Sequence, residues 1–117
     1  MQDYKKLTVW KRAHELTFSV YRVSSKFPKE ELYGLTSQIR RACISISSNI
    51  AEGCGKDSGA ELNRFLQIAL GSAFEVEDQL LLSKELSFLE SAEYEELNMH
   101  VIEIKKMLTA LIEKIKS

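Results

Sequence analysis

The stretch CISISSNIAEGCGK, residues 43–56, gathers most of the residue types in this chain that do chemistry elsewhere: three serines, two cysteines, a carboxylate, two glycines and a lysine. Each candidate chemistry needs a companion. A serine nucleophile needs a histidine relay, and His14 and His100, the only histidines, are not placed by the sequence beside any serine. The run Gly53-Cys54-Gly55-Lys56 has a superficial likeness to a phosphate loop, but no strand precedes it and the full spacing is missing. It also falls at a helix C-terminus, whose negative dipole end repels phosphate. A di-iron bundle needs paired Glu-x-x-His motifs, and neither histidine has a Glu three residues before it. The cysteines lack zinc spacing. If helical, Cys43 and Cys54 stand roughly 16 Å apart along the axis, too far for a disulfide. The expectation is therefore a protein that is not an enzyme, with no catalytic residue, no metal and no cofactor.

The elements around this stretch are periodic. Val9, Ala13, Leu16, Val20, Val23 and Phe27 step by four and three, one face of a helix that Pro28 stops. Glu30 and Glu31 suit the positive end of the next helix, and Gly34 delays its regular start to Leu35 or Thr36. Leu32, Leu35, Ile39, Cys43, Ile46, Ile50 and Gly53 continue the rhythm, so the quoted stretch is helical, and Gly53 and Gly55 are read as its C-terminal breakers. Ser58 and Glu61 form a capping box for a third helix with Leu62, Leu66, Ala69, Ala73, Val76 and Leu80 on one stripe. Ser91 is read as the cap of a fourth, carrying Tyr94, Leu97, Val101, Ile104, Leu108, Leu111 and Ile115. Four helices with short connections predict an all-α fold, an antiparallel up-down-up-down four-helix bundle, with residues 1–117 as a single domain.

Two surfaces depart from a plain bundle. On the second helix Arg41, Ser45, Ser48, Asn49 and Glu52 share a face beside the core stripe. Ser and Asn are poor mid-helix residues unless their side chains find partners. Gly71, Ser72 and Glu75 of the third helix supply them, which predicts a close, partly polar contact, with Arg41 bridging to Glu75 or to a neighbouring subunit. The third helix also carries a second apolar stripe of Leu70, Phe74, Leu81 and Phe88, with Ile68, Leu82 and Leu86 on the opposite flank. An ordinary amphipathic helix has one apolar face, so this excess predicts burial against another subunit.

The bulk numbers set the frame. One proline in 117 residues favours long helices over a turn-rich fold. The longest aliphatic run, Leu80-Leu81-Leu82, is far too short to span a membrane. The opening residues Gln2-Asp3-Tyr4-Lys5-Lys6 do not read as a secretory leader, which makes a cytoplasmic address the expectation. Net charge is −1, which by itself does not point to nucleic acid. The distribution is uneven: residues 1–64 hold 11 Lys or Arg against 7 Asp or Glu, and residues 65–117 hold 5 against 10. Lys11, Arg12 and Arg40 are the candidates for any nucleic-acid contact, with Arg40 the one expected to face solvent or a ligand.

The run FPKEELYGLTSQIRRACISISSNIAEGCGK, residues 27–56, resembles the signature of the four-helix-bundle family of 23S rRNA-intervening-sequence proteins. The likeness rests on Phe27-Pro28, Glu31, Gly34-Leu35, Gln38, Arg40-Arg41-Ala42, Ser45, Asn49 and Ala51-Glu52-Gly53. It continues through Phe65, Leu66, Ala69, Gly71-Ser72 and Glu75, and Trp10 fits the family's first helix. The resemblance implies a bundle that assembles into a ring, typically a pentamer. The family name records genes found within 23S ribosomal RNA genes and is not an activity. A related protein of diversity-generating retroelements, the accessory variability determinant, is basic and works with a reverse transcriptase and nucleic acid. Together these readings predict a homo-oligomeric scaffold or adaptor linked to RNA or to a nucleic-acid-processing protein, with a direct nucleic-acid-binding ring as the alternative and a metal-binding or enzymatic helical bundle as a distant one.

Overall fold

The computed structural model describes residues 3–116. A short 3-10 turn, Tyr4–Lys6, leads into α1 (Thr8–Ser24), followed by α2 (Leu35–Cys54), α3 (Gly59–Glu85) and α4 (Ser91–Lys116). Each helix touches its two neighbours, α1 with α2 and α4, and α3 with α2 and α4, while the diagonal pairs stay apart. The side-chain register is antiparallel throughout. Gly53 of α2 lies against Phe65 of α3 and Ser45 against Ser72. Glu77 of α3 meets Lys105 of α4 and Lys84 meets Tyr94. Arg12 of α1 meets Glu103 of α4, and Lys26 meets Glu93. The result is the up-down-up-down bundle that the spacing predicts.

The predicted stripes form one core. Leu16, Val20, Ile39, Ile46, Ile50, Leu66, Val76, Leu80, Val101, Ile104 and Leu108 are almost wholly buried within it. At about 1.5–3 kcal/mol for each large apolar side chain removed from water, this burial is the main term holding the helices together. Cys43 sits in the same core, and burial pushes its thiol up to about 12. Cys54 is also buried and its thiol is raised by the same cause. Both are free thiols, as the helical spacing requires.

The connections bear out one expectation and hold two departures from the sequence reading. α2 starts at Leu35, and the Glu31 carboxylate accepts a hydrogen bond from the Leu35 N–H at 3.2 Å, capping the helix from the preceding 3-10 turn Lys29–Glu31. Gly53 is not a breaker: it lies inside α2, buried, where a Cβ would come 2.9 Å from the Phe65 Cβ. Its role is close approach of two helices. α3 ends in a Schellman motif with Ser87, not glycine, in the left-handed region at φ 66°. Phe88 N–H donates to Ser83 O at 2.8 Å and Ser87 N–H to Lys84 O at 2.9 Å, satisfying carbonyls of the last turn. Phe88 therefore does not belong to the second stripe of α3. It lies in the α3–α4 connection, with its ring 5.5 Å from Phe27.

Of the two capping expectations, that for Ser58 holds in modified form and that for Ser91 does not. Glu61 N–H donates to Ser58 Oγ at 3.1 Å, while the Glu61 carboxylate pairs with Arg64. Ser91 is already helical, and the Glu93 carboxylate accepts from the Glu90 N–H at 3.2 Å.

Candidate interaction surface

The small-residue face of α2 meets α3 through a short polar seam. Ser45 Oγ and Ser72 Oγ are 2.7 Å apart, and Asn49 Nδ2 donates to Ser45 O at 2.8 Å and to Ser45 Oγ at 3.0 Å. This gives the mid-helix Ser and Asn the partners that their poor propensity demands. The seam does not extend to every residue assigned to it. Ser48, Glu52 and Arg41 are exposed. Arg41 makes no ion pair among the described residues, and Glu75 accepts instead from Gln79 Nε2 at 3.3 Å. The within-chain bridge from Arg41 to Glu75 is therefore absent. Gly71 is exposed, and a Cβ added there would meet nothing within 4 Å, so it is not a point of close approach within the bundle.

The three cations assigned to a nucleic-acid surface lie in different surroundings. Lys11 is exposed. Arg12 is paired with Glu103 across the α1–α4 seam. Arg40 is the reverse of a free cation. Its Nε donates to Ser24 Oγ at 2.8 Å, its second nitrogen to Tyr21 O at 3.3 Å, and its guanidinium lies 4.5 Å over the Tyr21 ring. It acts as a clamp on the C-terminal turn of α1, where a cation is favoured by the dipole. Arg12 and Arg40 thus serve opposite flanks of α1, one toward α4 and one toward α2.

Large apolar side chains stand out of the bundle on two sides. On α1, Trp10, His14 and Phe18 follow at steps of four in a continuous ring contact: Trp10 and His14 stack at 4.7 Å, and His14 meets Phe18 edge-on at 5.2 Å. Phe18 is 65% exposed, and with His14, Thr17 and Tyr21 it lines a shallow apolar cavity of about 290 Å³. Arg40 of α2 over Tyr21 shows that this flank turns toward α2, where Ile44, one turn after Arg40, is also exposed. The three-and-four periodicity of this helix marks only its core stripe; the Trp10-His14-Phe18 spacing is the sequence signal of the second one. On α3, Phe74 is 54% exposed and Leu81, seven residues later, is exposed on the same flank. Lys105 Nζ lies 4.3 Å over the Phe74 ring, which fixes that flank toward α4, where Met99 is 70% exposed. Ile68, Leu82 and Leu86 are exposed on the flank nearer α2.

Among the described residues no group of three His, Cys, Asp or Glu side chains lies close enough to hold a metal. Among the same residues no helix is long and apolar enough to cross a membrane. What this molecule presents is surface: apolar stripes bordered by charge.

A crystal structure of a protein of unknown function from the S23 ribosomal protein family of Bacteroides thetaiotaomicron VPI-5482 superposes with a TM-score of 0.83 at 28% identity, covering 90% of this chain and 95% of that one. None of the curated proteins compared with the chain matches it. Residues 5–110, almost the whole bundle, match the profile of the 23S rRNA-intervening sequence proteins, and the chain belongs to that family.

Proposed function

We infer that this protein is a non-enzymatic homo-oligomeric scaffold, a bundle that assembles with its own copies and offers the assembly to an RNA-linked partner. The observation that carries this reading is the exposed apolar surface of α3. Phe74, Leu81, Leu82, Ile68 and Leu86 lie outside the core of a bundle whose interior is already filled. Burying them within one chain would require a fifth helix, whereas a second copy needs nothing further. The family resemblance makes five subunits the favoured number, and its name is the source of the RNA link. Multi-angle light scattering at micromolar concentration should return a mass several times 13.4 kDa. A single species at 13.4 kDa across that range would overturn the reading.

The second reading, a ring that binds nucleic acid directly, is favoured by one observation. The first half of the chain is basic, and Lys6, Lys11 and Arg22 are exposed there without an ion pair among the described residues.

A further inference from the structure

Between the end of α1 and the first turns of α2 the chain leaves a cavity of about 380 Å³. That is the small end of the roughly 300–1,000 Å³ that small-molecule sites occupy. Phe27, Pro28 and Leu32 give it apolar walls, Thr36 and Arg40 of α2 line it beside them, and Lys29 adds a second cation. Among the described residues no Asp or Glu lines it. Two of its polar groups lack the partners that their surroundings call for. Thr36 is only 4% exposed, yet its hydroxyl makes no hydrogen bond among the described residues. Arg40 is held by Ser24 Oγ on Nε, by Tyr21 O on Nη2 and by the Tyr21 ring beneath, which leaves Nη1 without a partner among the same residues. No carboxylate of the described residues pairs with it. Glu31, the acid just before α2, is taken by the Leu35 N–H. The carbonyl end of α1 offsets roughly half an elementary charge, and the rest of the guanidinium charge is unmatched.

We propose that this cavity binds a small carboxylic acid with an apolar body, its carboxylate taken by the free edge of Arg40 and the Thr36 hydroxyl, its body by Phe27, Pro28 and Leu32. A buried hydroxyl without a partner is an exception that asks for one, and a carboxylate oxygen supplies it. The planar guanidinium fork matches a carboxylate geometrically, and an arginine already fixed on two hydrogen bonds and a ring loses little freedom when it binds one. The chemistry also excludes neighbouring ligand classes. A neutral apolar molecule would cover Arg40 and leave its charge unpaired. A phosphate group would set strongly hydrated oxygens against Phe27, Pro28 and Leu32, which offer them no donor. Every lining residue belongs to one chain, so the site is complete in each subunit and independent of how copies assemble.

The test is saturation-transfer NMR on the full chain, which observes the small molecule and reads weak binding whatever the mass of the assembly. Octanoate and phenylacetate are the probes, with octanamide and phenylacetamide as their uncharged matches and inorganic phosphate as an anion without an apolar body. At least one acid should saturate a single site. Its amide should bind at least about tenfold more weakly, the loss expected when a hydrogen bond to a charged group goes. Phosphate at the same concentration should not displace it. Thr36→Val keeps the β-branched shape and has no hydrogen bond within the chain to lose, so circular dichroism should show an intact fold, with the acid weakened about three- to tenfold. Leu32→Trp, at a half-exposed position, should fill the cavity and abolish binding with Arg40 and Thr36 untouched; it decides the matter should Thr36→Val unfold. The proposal is overturned if neither acid saturates, if acid and amide bind equally, if phosphate displaces the acid, or if Leu32→Trp binds it as the wild type does.

Discussion

Gly53 and Gly71 show how one residue type carries two different roles. A Cβ at Gly53 would meet Phe65 Cβ at 2.9 Å and Leu62 Cδ1 at 3.1 Å. Alanine gains about 1 kcal/mol in helix propensity over glycine, but overpacking a filled contact costs about 1–3 kcal/mol. The Phe65 Cβ is tied to the α3 backbone and yields little. Gly53→Ala is therefore expected to destabilise by up to about 2 kcal/mol net, and Gly71→Ala, with open space around it, to stabilise by up to about 1 kcal/mol. Urea unfolding at one fixed protein concentration reads both, and equal signs would contradict the assignment. Neighbouring Arg40 and Arg41 part in the same way. One is drawn onto Ser24 and Tyr21, and the other is left exposed.

At the scale of the element, the start of α4 is held by charge. Glu93 accepts from the Glu90 N–H and pairs with Lys26 at 2.7 Å, joining the α4 N-terminus to the end of α1. The hydrogen bond from Lys26, then that from the Glu90 backbone, holds the Glu93 carboxyl below its ordinary value of 4.5. The same hydrogen bond raises Lys26 above its ordinary 10.5. A carboxylate lowered in the folded state contributes stability above its unfolded value and loses it as pH falls through the folded one. A raised lysine contributes below 10.5 and loses it as pH rises through its folded value. Glu93→Gln keeps an acceptor for the backbone N–H and removes only the charge. Its melting temperature should fall below wild type at about pH 7, and the gap should narrow as pH falls below the ordinary carboxylate range and through the lowered folded value. A gap that persists in acid would mean that the carboxylate charge contributes nothing at this junction. Lys26 is exposed and Glu93 partly so, so the effect is small and sensitive to salt.

For the whole molecule, the uneven charge decides how RNA should behave. The net charge is −1, and of the three proposed contact cations two are engaged within the chain, Arg12 by Glu103 and Arg40 by Ser24 and Tyr21. If the protein acts as a scaffold that recruits RNA through a partner, structured RNA and DNA should show little gel shift at physiological salt. Any retention at low salt should fall steeply, with a log–log slope of roughly −0.7 to −0.9 per phosphate contacted. Binding that survives at about 200 mM salt and is lost in Lys6→Glu with Lys11→Glu and Arg22→Glu would favour the direct nucleic-acid-binding ring instead.

The fold was legible in the chain alone, because helix periodicity, Pro28, Ser58 and the acidic first turns are local signals that agree with one another. So were the surplus apolar surface on α3 and the polar character of the α2–α3 seam, since both are visible as residue types at helical spacing. Which residues meet was not legible there and came from tertiary packing. Packing made Gly53 a contact point, left Gly71 in the open, turned Arg40 inward onto α1 and ended α3 at Ser87 in the left-handed region. Those outcomes depend on the register and separation of neighbouring helices. Such distances are set by the packing of the whole core, and no stretch of twenty residues contains them.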